Sequence, residues 1–294
     1  MSEIFYLNGE LLPREKAKIS LLDYGFLFGF GLYETVRAYN GKVFRLDNHL
    51  ARLRYSGNRL GILIHTALIR EAVKDVIKAN GFKQTRLRIS VSIGEGTISP
   101  NLDSCKQPTV AVLASEYKPP SREKYQNGYH VVLSSIRRSS LSPVTFLKSA
   151  NTMENMLARR DARDTGADEA FFLNEKNYLT EAAGSNLFLV KDGVLKTPRY
   201  ESGILPGVTR VVVFELAAQL GIKVREVNLK LTDLLQADEV FITNSLIEIV
   251  PVTTFDGKAI AGGKPGALTG KLMKAYRALV KKETSEDGPK NGGG

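Results

Sequence analysis

Short β-branched and aromatic segments separated by turn residues predict strands at the start of the chain. Two of the turns are Asn8-Gly9 and Asn40-Gly41, which are residue pairs that favour β-hairpins. A stretch with leucines at helical spacing follows, and Asp47 is placed to cap that helix. A second helix is expected to end at Asn80-Gly81, and β-branched stretches such as 86–93 predict further strands.

A change of pattern at residues 117–124 divides the chain. This stretch contains two prolines and several charged residues, and it predicts a linker between two domains. Beyond it, short strand segments alternate with helices expected at 151–163, 208–220 and 267–282. The pattern therefore predicts an α/β (α+β) protein with two domains. The predicted divisions are a smaller N-terminal α/β domain at 1–117, a linker at 118–127, a larger C-terminal domain at 128–284 and a disordered tail at 285–294.

The composition excludes several classes of function. The chain has 294 residues, of which 43% are hydrophobic and 24% charged, which suits a globular protein of two domains. Its net charge of +10 is spread along the sequence, so we expect no nucleic-acid partner. A single cysteine excludes an internal disulfide and, with only three scattered histidines, argues against structural zinc. Because we find neither a signal-peptide pattern nor a membrane-spanning apolar run, we expect a cytoplasmic protein with no membrane contact.

One lysine and one glutamate carry the candidate chemistry. Lys148 directly precedes the predicted helix at 151–163, and Glu181 lies just before Gly184-Ser185-Asn186. A lysine amine can form a Schiff base with the aldehyde of pyridoxal phosphate, and a carboxylate can keep the pyridine nitrogen protonated so that the ring withdraws electrons. The pair therefore predicts a pyridoxal phosphate enzyme.

Three segments are candidates for binding the phosphate of such a cofactor. Residues 203–210 place Pro206-Gly207 and the hydroxyl of Thr209 at the start of a helix, where free backbone N–H groups and the helix dipole favour an anion. Thr243-Asn244-Ser245 ends a strand and supplies further donors. Arg52 lies on the leucine-bearing helix and has the fork of donors that matches phosphate. Each segment also has an ordinary structural interpretation, as a turn, a strand exit or a surface side chain.

A longer set of motifs occurs in a characteristic order along the chain. It consists of 23–25, 33–37, 44–53, 148–151, 181 with 184–188, 203–210 and 243–245 with 251–252. In this combination the chain resembles the class IV (fold-type IV) pyridoxal phosphate aminotransferases, over about residues 6 to 276. That family contains branched-chain amino acid aminotransferase, D-amino acid aminotransferase and aminodeoxychorismate lyase.

The resemblance implies a fold, a cofactor and roles for individual residues. It implies a C-terminal mixed β-barrel-like domain with helices, and a homodimer with its active site between the domains near the dimer interface. Lys148 would carry the cofactor as an internal aldimine and move the proton between the substrate Cα and the cofactor C4′, and Glu181 would pair with the pyridine nitrogen. The other expected cofactor-binding residues are Arg52, Ser185, Asn186, Leu205, Val208, Thr209, Thr243, Asn244 and Ser245. The expected substrate-binding residues are Tyr24, Tyr33, Arg88, Ser245 and Leu246.

Two of these roles have equal structural alternatives. Arg88 could pair with a carboxylate inside the sheet instead of binding the substrate carboxylate. Tyr24 could be a packing residue. The resemblance instead implies that it lines the pocket and acts across the dimer.

The sequence differs in some respects from each member of the family. Arg88 stands six residues before Gly94, as in branched-chain aminotransferases. D-amino acid aminotransferases have an arginine immediately before that glycine and a histidine soon after, but here Ile93 occupies the first place and no histidine is near. Branched-chain enzymes carry a tyrosine four or five residues after the catalytic lysine, where this chain has Thr152 and Met153.

These features favour transfer of an amino group from an apolar, branched-chain L-amino acid to 2-oxoglutarate, through the Lys148 aldimine and a ketimine, as part of amino-acid biosynthesis. Residues 136–138 with Ser142-Pro143 resemble some aminodeoxychorismate lyases, which form 4-aminobenzoate and pyruvate. The alternatives are therefore that lyase, a D-amino acid aminotransferase, or a non-enzymatic protein that binds the cofactor.

Overall fold

The computed structural model describes residues 2–285, and these form two compact units. The first contains residues 2–118, together with Leu147–Asn151 and residues 281–285. The second contains Pro119–Phe146 and Thr152–Val280. The first division is close to the linker expected at 118–127. Lys148, however, which the sequence assigned to the C-terminal domain, belongs to the first unit. Most of the tail predicted to be disordered, 286–294, lies outside the described residues.

An antiparallel sheet with helices on it forms the first unit. The strands follow the order β2-β1-β6-β5-β3-β4. Buried side chains of α2 and α3, among them Leu50, Leu53, Ile69 and Val73, pack with residues of β3 and β5 such as Val36. The elements of this unit are β1 (Ile4–Leu7), β2 (Glu10–Pro13), α1 (Tyr24–Leu27), β3 (Gly31–Tyr39), β4 (Lys42–Val43), α2 (Leu46–Leu60), α3 (Thr66–Asn80), β5 (Gln84–Ser92) and β6 (Thr109–Glu116).

The turns of this unit follow the sequence prediction, but one helix cap does not. Asn8 and Asn40 have positive φ angles of 47° and 48°, as expected for hairpin turns, and Gly81 ends α3 in the left-handed conformation. Asp47 was predicted to cap α2, which is wrong. The cap position is Arg45, in the left-handed region at φ 56°, and Asp47 lies inside the first turn, where it pairs with Arg70. A carboxylate in the first turn still interacts favourably with the helix dipole.

A closed ring of strands forms the core of the second unit. The strand order is β12-β11-β10-β13-β14-β7-β8-β9, and a further pairing of β9 with β10 closes β7, β8, β9, β10, β13 and β14 into a barrel. This confirms the predicted mixed, barrel-like domain. The elements are α4 (Arg122–Asn127), β7 (Tyr129–Arg138), α5 (Met153–Asp164), β8 (Glu169–Asn174), β9 (Leu179–Ala182), β10 (Asn186–Lys191), β11 (Val194–Pro198), α6 (Val208–Gln219), β12 (Val224–Val227), α7 (Leu231–Leu235), β13 (Glu239–Asn244), β14 (Glu248–Phe255), β15 (Lys258–Ala259) and α8 (Ala267–Thr284).

The register of the barrel brings together three predicted site residues. Asn186, the first residue of β10, lies opposite Glu181 of β9 on one side and opposite Thr243 of β13 on the other. One end of the barrel therefore carries Glu181, Asn186 and the Thr243-Asn244-Ser245 turn side by side. Within residues 2–285, none of the helices is long and apolar enough to span a membrane.

Candidate active site

The backbone around Lys148 is fixed against β3. The amide N–H of Tyr33 donates to the Lys148 carbonyl at 2.9 Å, and the Ala150 N–H donates to the Gly31 carbonyl at 2.8 Å. Ser149 and Leu32 form an isolated bridge between these two bonds. The Lys148 side chain is half-buried, and no residue in 2–285 accepts a hydrogen bond or forms an ion pair with its Nζ. The lysine amine is therefore held in place by its backbone and is available for covalent chemistry.

Tyr33 connects Lys148 with Arg88. Lys148 Nζ lies 4.6 Å from the centroid of the Tyr33 ring, and the Arg88 guanidinium carbon lies 3.9 Å from the same centroid. Burial lowers the pKa of Arg88, although that group remains a cation at neutral pH. Arg88 donates to Ser90 Oγ at 3.1 Å, and no carboxylate of the described chain pairs with it. The structure thus brings three predicted site residues together and does not support the alternative of an ion pair inside the sheet for Arg88.

Arg52 is held by a buried carboxylate. Its Nε and Nη2 donate to the two oxygens of Glu34, each at 2.7 Å, and His49 Nδ1 lies 2.7 Å from Glu34 Oε2. Glu34 is completely buried, and only 11% of the Arg52 side chain is exposed. Burial alone raises the pKa of Glu34, but the charges and hydrogen bonds of Arg52 and His49 outweigh it and bring that pKa to about 2. Arg52 is therefore oriented by a buried anion through a bidentate, charge-assisted contact.

His49 takes part in this group as a neutral ring. Burial lowers the pKa of His49 and outweighs the attraction of the Glu34 carboxylate. Because an ionised carboxylate can only accept, Nδ1 carries the proton and donates it to Glu34. The sequence motif contained both Glu34 and His49, but nothing in it indicated that they hold Arg52.

Tyr24 lies in the interior of the first unit. Only 1% of it is exposed, and its ring packs edge-on against Phe28 with a centroid distance of 4.7 Å. Its hydroxyl donates to the Ser99 carbonyl at 2.9 Å and accepts from the Asn101 N–H at 3.0 Å. These contacts fit the packing alternative, in which Tyr24 organises the loop between β5 and β6.

Glu181 lies at the barrel end with donors on both of its oxygens. Oε1 accepts a hydrogen bond from Arg138 Nη1. Oε2 accepts from Asn186 Nδ2 at 3.2 Å and from the Leu205 N–H at 3.0 Å. Glu181 and Asn186 are each only 6% exposed. The predicted residues Glu181, Asn186 and Leu205 therefore form one buried group, which holds a carboxylate in a fixed orientation.

Arg138 is the residue of this group that the sequence did not indicate. Arg138 is the last residue of β7, and its side chain is buried. Arg137, its neighbour, is exposed. This alternation within Ile136-Arg137-Arg138 is the one signal in the sequence that could have identified Arg138 as the inward-facing arginine.

The N-terminus of α6 has the properties expected of an anion site. Gly207 is the N-cap residue, and no side chain caps the helix. Val208 and Thr209, which begin it, are buried. A Cβ atom at Gly207 would lie 1.9 Å from Asn186 Oδ1, so this close approach requires glycine. The helix terminus is therefore packed directly against the residues that surround Glu181.

The turn after β13 uses most of its polar side chains internally. Thr243 Oγ1 donates to the Glu248 carbonyl at 2.6 Å. Asn244 Nδ2 donates to the Gly184 carbonyl and to Ser185 Oγ, both at 2.9 Å, while its Oδ1 accepts from the N–H groups of Leu246 and Ile247. Asn244 thus joins two loops at the barrel end, and the side chains of Thr243 and Asn244 shape the turn that carries Ser245 and Leu246.

The residues present fit pyridoxal phosphate. The first unit supplies Lys148, whose Nζ has no hydrogen-bond acceptor or ion-pair partner among the described residues, and an arginine oriented by a buried carboxylate. The second supplies a buried carboxylate with fixed acceptor atoms and an uncapped helix N-terminus. The guanidinium Nε of Arg138 is a buried donor with no hydrogen-bond partner among residues 2–285, and a bound polar group would satisfy it.

Comparison with known proteins identifies the family. The family described as amino-transferase class IV matches residues 31–255. A putative branched-chain amino acid aminotransferase of Methanocaldococcus jannaschii is 38% identical over 281 residues, covering 93% of this chain and 95% of the relative. A D-alanine aminotransferase of Bacillus licheniformis is 31% identical over 95% of this chain and 98% of its own.

A solved structure extends this result to the fold. The branched-chain amino acid aminotransferase of Escherichia coli superposes with a TM-score of 0.91 at 31% identity, covering 98% of this chain and 97% of the other. Both the sequence and the architecture therefore match over nearly the full length. The chain belongs to the class IV aminotransferases and is a pyridoxal phosphate-dependent transaminase.

Proposed function

We propose that the chain transfers the amino group of an apolar, branched-chain L-amino acid to 2-oxoglutarate. The observation that carries this proposal is the position of Arg88, a half-buried cation that lies on Tyr33 beside Lys148 and has no carboxylate partner in residues 2–285. Amino acids and 2-oxo acids share an α-carboxylate, which such a guanidinium can bind. The branched-chain aminotransferases among the relatives support the choice of amino acid.

Lys148 is the proposed catalytic residue. Pyridoxal phosphate, when bound, supplies an aldehyde that takes up amines and a ring that withdraws electrons from the substrate Cα. The Lys148 amine, held next to β3 by its backbone hydrogen bonds, attaches the cofactor and then moves the proton between the substrate Cα and the cofactor C4′. The absence of an acceptor for its Nζ among the described residues supports this role.

Each of the two units provides further residues that we propose contact the cofactor. Glu181 pairs with the pyridine nitrogen, and its orientation by Asn186 and Leu205 supports that role. The N–H groups of Val208 and Thr209, with the Thr209 hydroxyl, bind the phosphate at the uncapped start of α6. Further phosphate donors come from Arg52 and Ser245. We propose that Ser185, Thr243 and Asn244 support this set by fixing the loops around it.

Substrate binding involves the residues around the catalytic lysine. Arg88 and Tyr33 form one side of the proposed substrate site. Ser245 and Leu246 are further candidates for contacting the substrate carboxylate, and the Leu246 N–H would have to leave Asn244 Oδ1, its acceptor at 2.9 Å, to do so. The Tyr24 hydroxyl bonds the loop between β5 and β6, so Tyr24 would affect the substrate pocket only by organising that loop.

A homodimer is the proposed assembly. Several large apolar side chains of the first unit are exposed, among them Leu21 (75%), Phe26 (63%) and Ile98 (79%). Exposed apolar side chains in one region of a protein typically mark an interaction surface. Light scattering coupled to gel filtration should give about twice the mass of one chain. A monomer that is fully active would contradict this assembly.

One panel of amino donors separates the candidate reactions. L-leucine or L-isoleucine should change the visible absorbance of the holoenzyme and release the corresponding 2-oxo acid. The Lys148→Ala variant is the matched control and should show no such change. A response to D-alanine alone would favour the D-amino acid enzyme, which the Bacillus licheniformis relative keeps as the second candidate. Release of pyruvate from aminodeoxychorismate would favour the lyase. Protein that binds pyridoxal phosphate but responds to none of these would favour a non-catalytic role.

A further inference from the structure

We propose that Arg138 is a positioning residue that keeps the proton of the cofactor on its pyridine nitrogen, by stabilising Glu181 as an anion. The inference rests on the proposed pairing of Glu181 with that nitrogen. No step of the proposed reaction uses the buried charge of Arg138 directly, and the inference assigns that charge a role.

Arg138 is in direct contact with the carboxylate. Its Nη1 donates to Glu181 Oε1, and only 8% of the residue is exposed. The guanidinium carbon also lies 5.0 Å from the centroid of the Phe172 ring, which forms an apolar wall. A charge-assisted hydrogen bond in such surroundings is stronger than one in water, because little solvent screens it.

A second hydrogen bond fixes the plane of the guanidinium. Arg138 Nη2 donates to Asn155 Oδ1 at 3.0 Å, and Asn155 Nδ2 donates to the Ala183 carbonyl at 2.8 Å. Asn155 belongs to the first turn of α5, and Ala183 follows β9 directly. The arginine is therefore held between the helix and the strand that carries Glu181, and its position is fixed without the cofactor.

Two further donors to Glu181 carry no charge. Asn186 contributes a side-chain amide and Leu205 a backbone N–H, both to Oε2. Burial raises the pKa of a second carboxyl, Glu169; Arg159 opposes this shift, and the nearby charge of Glu181 adds a smaller increase. Glu181 thus lies in a region where burial and a neighbouring acid both disfavour an anion, and Arg138 opposes them.

The location of one proton follows from this balance. A carboxylate and a pyridine nitrogen that share a proton can be two ions or two neutral groups. Burial favours the neutral pair, with the proton on the carboxyl, because separated charges lose solvation. A guanidinium on the carboxylate reverses that preference, because it stabilises the anion directly. With Arg138 present, the proton should stay on the ring nitrogen, where it makes the ring withdraw electrons.

The test measures the nitrogen itself. Holoenzyme reconstituted with pyridoxal phosphate labelled with ¹⁵N in the ring should give the ¹⁵N chemical shift of a pyridinium ion. In Arg138→Met the signal should move toward the shift of neutral pyridine. Arg138→Lys should keep most of the pyridinium character, because it restores the positive charge. Arg137→Met, which changes the exposed neighbour, is the matched control and should leave the signal unchanged.

The outcomes separate this inference from the proposed function. An unchanged pyridinium signal in a folded, cofactor-loaded Arg138→Met enzyme would overturn the role of Arg138 alone. If the wild-type chain bound no pyridoxal phosphate, or if Glu181→Gln did not alter its nitrogen signal, the proposed function of Glu181 would fail first. Should Arg138→Met not fold, Asn155→Ala is the alternative test. It should move the signal in the same direction by a smaller amount, and an unchanged signal there would also contradict the proposal.

Discussion

Arg52 donates two hydrogen bonds of 2.7 Å to the two carboxylate oxygens of Glu34, which is completely buried. This bidentate geometry fixes the guanidinium plane before any ligand arrives. It also makes the stability of the first unit depend on a charge pair, because an unpaired buried ion is strongly destabilising. The residue proposed to bind phosphate is thus also part of the structural core.

Replacing Glu34 with glutamine should destabilise the protein substantially. The change leaves the Arg52 charge without its anion, and breaking a buried pair of this kind costs about 3–5 kcal/mol. Urea unfolding of the cofactor-free protein measures the loss. The matched control is Glu71→Gln, since Glu71 forms an exposed pair with Lys74 at 2.8 Å, and it should change the free energy of unfolding by less than about 1 kcal/mol. Equal effects of the two changes would contradict the importance of the buried pair.

The depressed pKa of Glu34 predicts how the stability of the protein depends on pH. The pKa of Glu34 is about 2 in the folded protein, against 4.5 for an ordinary glutamate. A carboxyl whose folded pKa is depressed stabilises the fold above its unfolded pKa, and that contribution decreases as the pH falls from about 4.5 toward 2. The difference in unfolding free energy between wild type and Glu34→Gln should therefore shrink across this window. A constant difference would show that Glu34 does not titrate in this range.

His49 should add a second loss of stability on acidification, at pH values above the range in which Glu34 titrates. Its pKa is lowered by burial, so the folded state takes up a proton less readily than the unfolded chain does. A base with a lowered folded pKa makes the protein less stable as the pH falls below the unfolded pKa of that base, about 6.5 for histidine. Unfolding measured between pH 7 and pH 5 should show this loss in the wild type. A His49→Gln variant should show a flatter profile, and an unchanged slope would contradict the neutral ring.

Gly207→Ala should disturb the start of α6. The added Cβ would lie 1.9 Å from Asn186 Oδ1, so Asn186 or the helix must move, at a cost of about 1–3 kcal/mol. We expect weaker retention of pyridoxal phosphate in equilibrium dialysis as well as a lower melting temperature. Gly270→Ala is the control, because that glycine lies exposed in α8 with open space around it and should gain up to about 1 kcal/mol. Cofactor affinity that is equal in both variants would argue against an anion site at this helix.

Arg88→Leu should reduce kcat/KM for amino acids by roughly 10- to 100-fold, the value of a lost hydrogen bond to a charged group. The cofactor should still bind, because Arg88 contacts Tyr33 and Ser90 rather than the proposed phosphate donors. Steady-state kinetics with the preferred donor measures the effect, with Arg86→Leu, an exposed residue of the same strand, as the control. Unchanged kinetics in Arg88→Leu would remove this residue from the substrate site.

The sequence predicted the fold well because much of the fold depends on local signals, whereas the roles of Lys148 and Glu181 stay predictions. Turn pairs such as Asn8-Gly9 set their own backbone conformation, and Lys148 and Glu181 lie in motifs whose residue types the cofactor requires. The cap of α2 was predicted wrongly, because Asp47 pairs with a side chain of α3 that is distant in sequence. Arg138 was missed for the same reason. Its importance arises only when β7 and β9 bring it next to Glu181, and this contact spans 43 residues.

The most direct measurement is covalent trapping of the cofactor. Incubation of the purified chain with pyridoxal phosphate should produce visible absorbance, and borohydride should then fix one cofactor per chain. Mass spectrometry of the digested protein should place it on Lys148. The Lys148→Ala variant should take up no label while keeping its fold, since no residue in 2–285 accepts a hydrogen bond from Nζ. A label on another lysine, or a wild-type protein that stays colourless, would contradict the account.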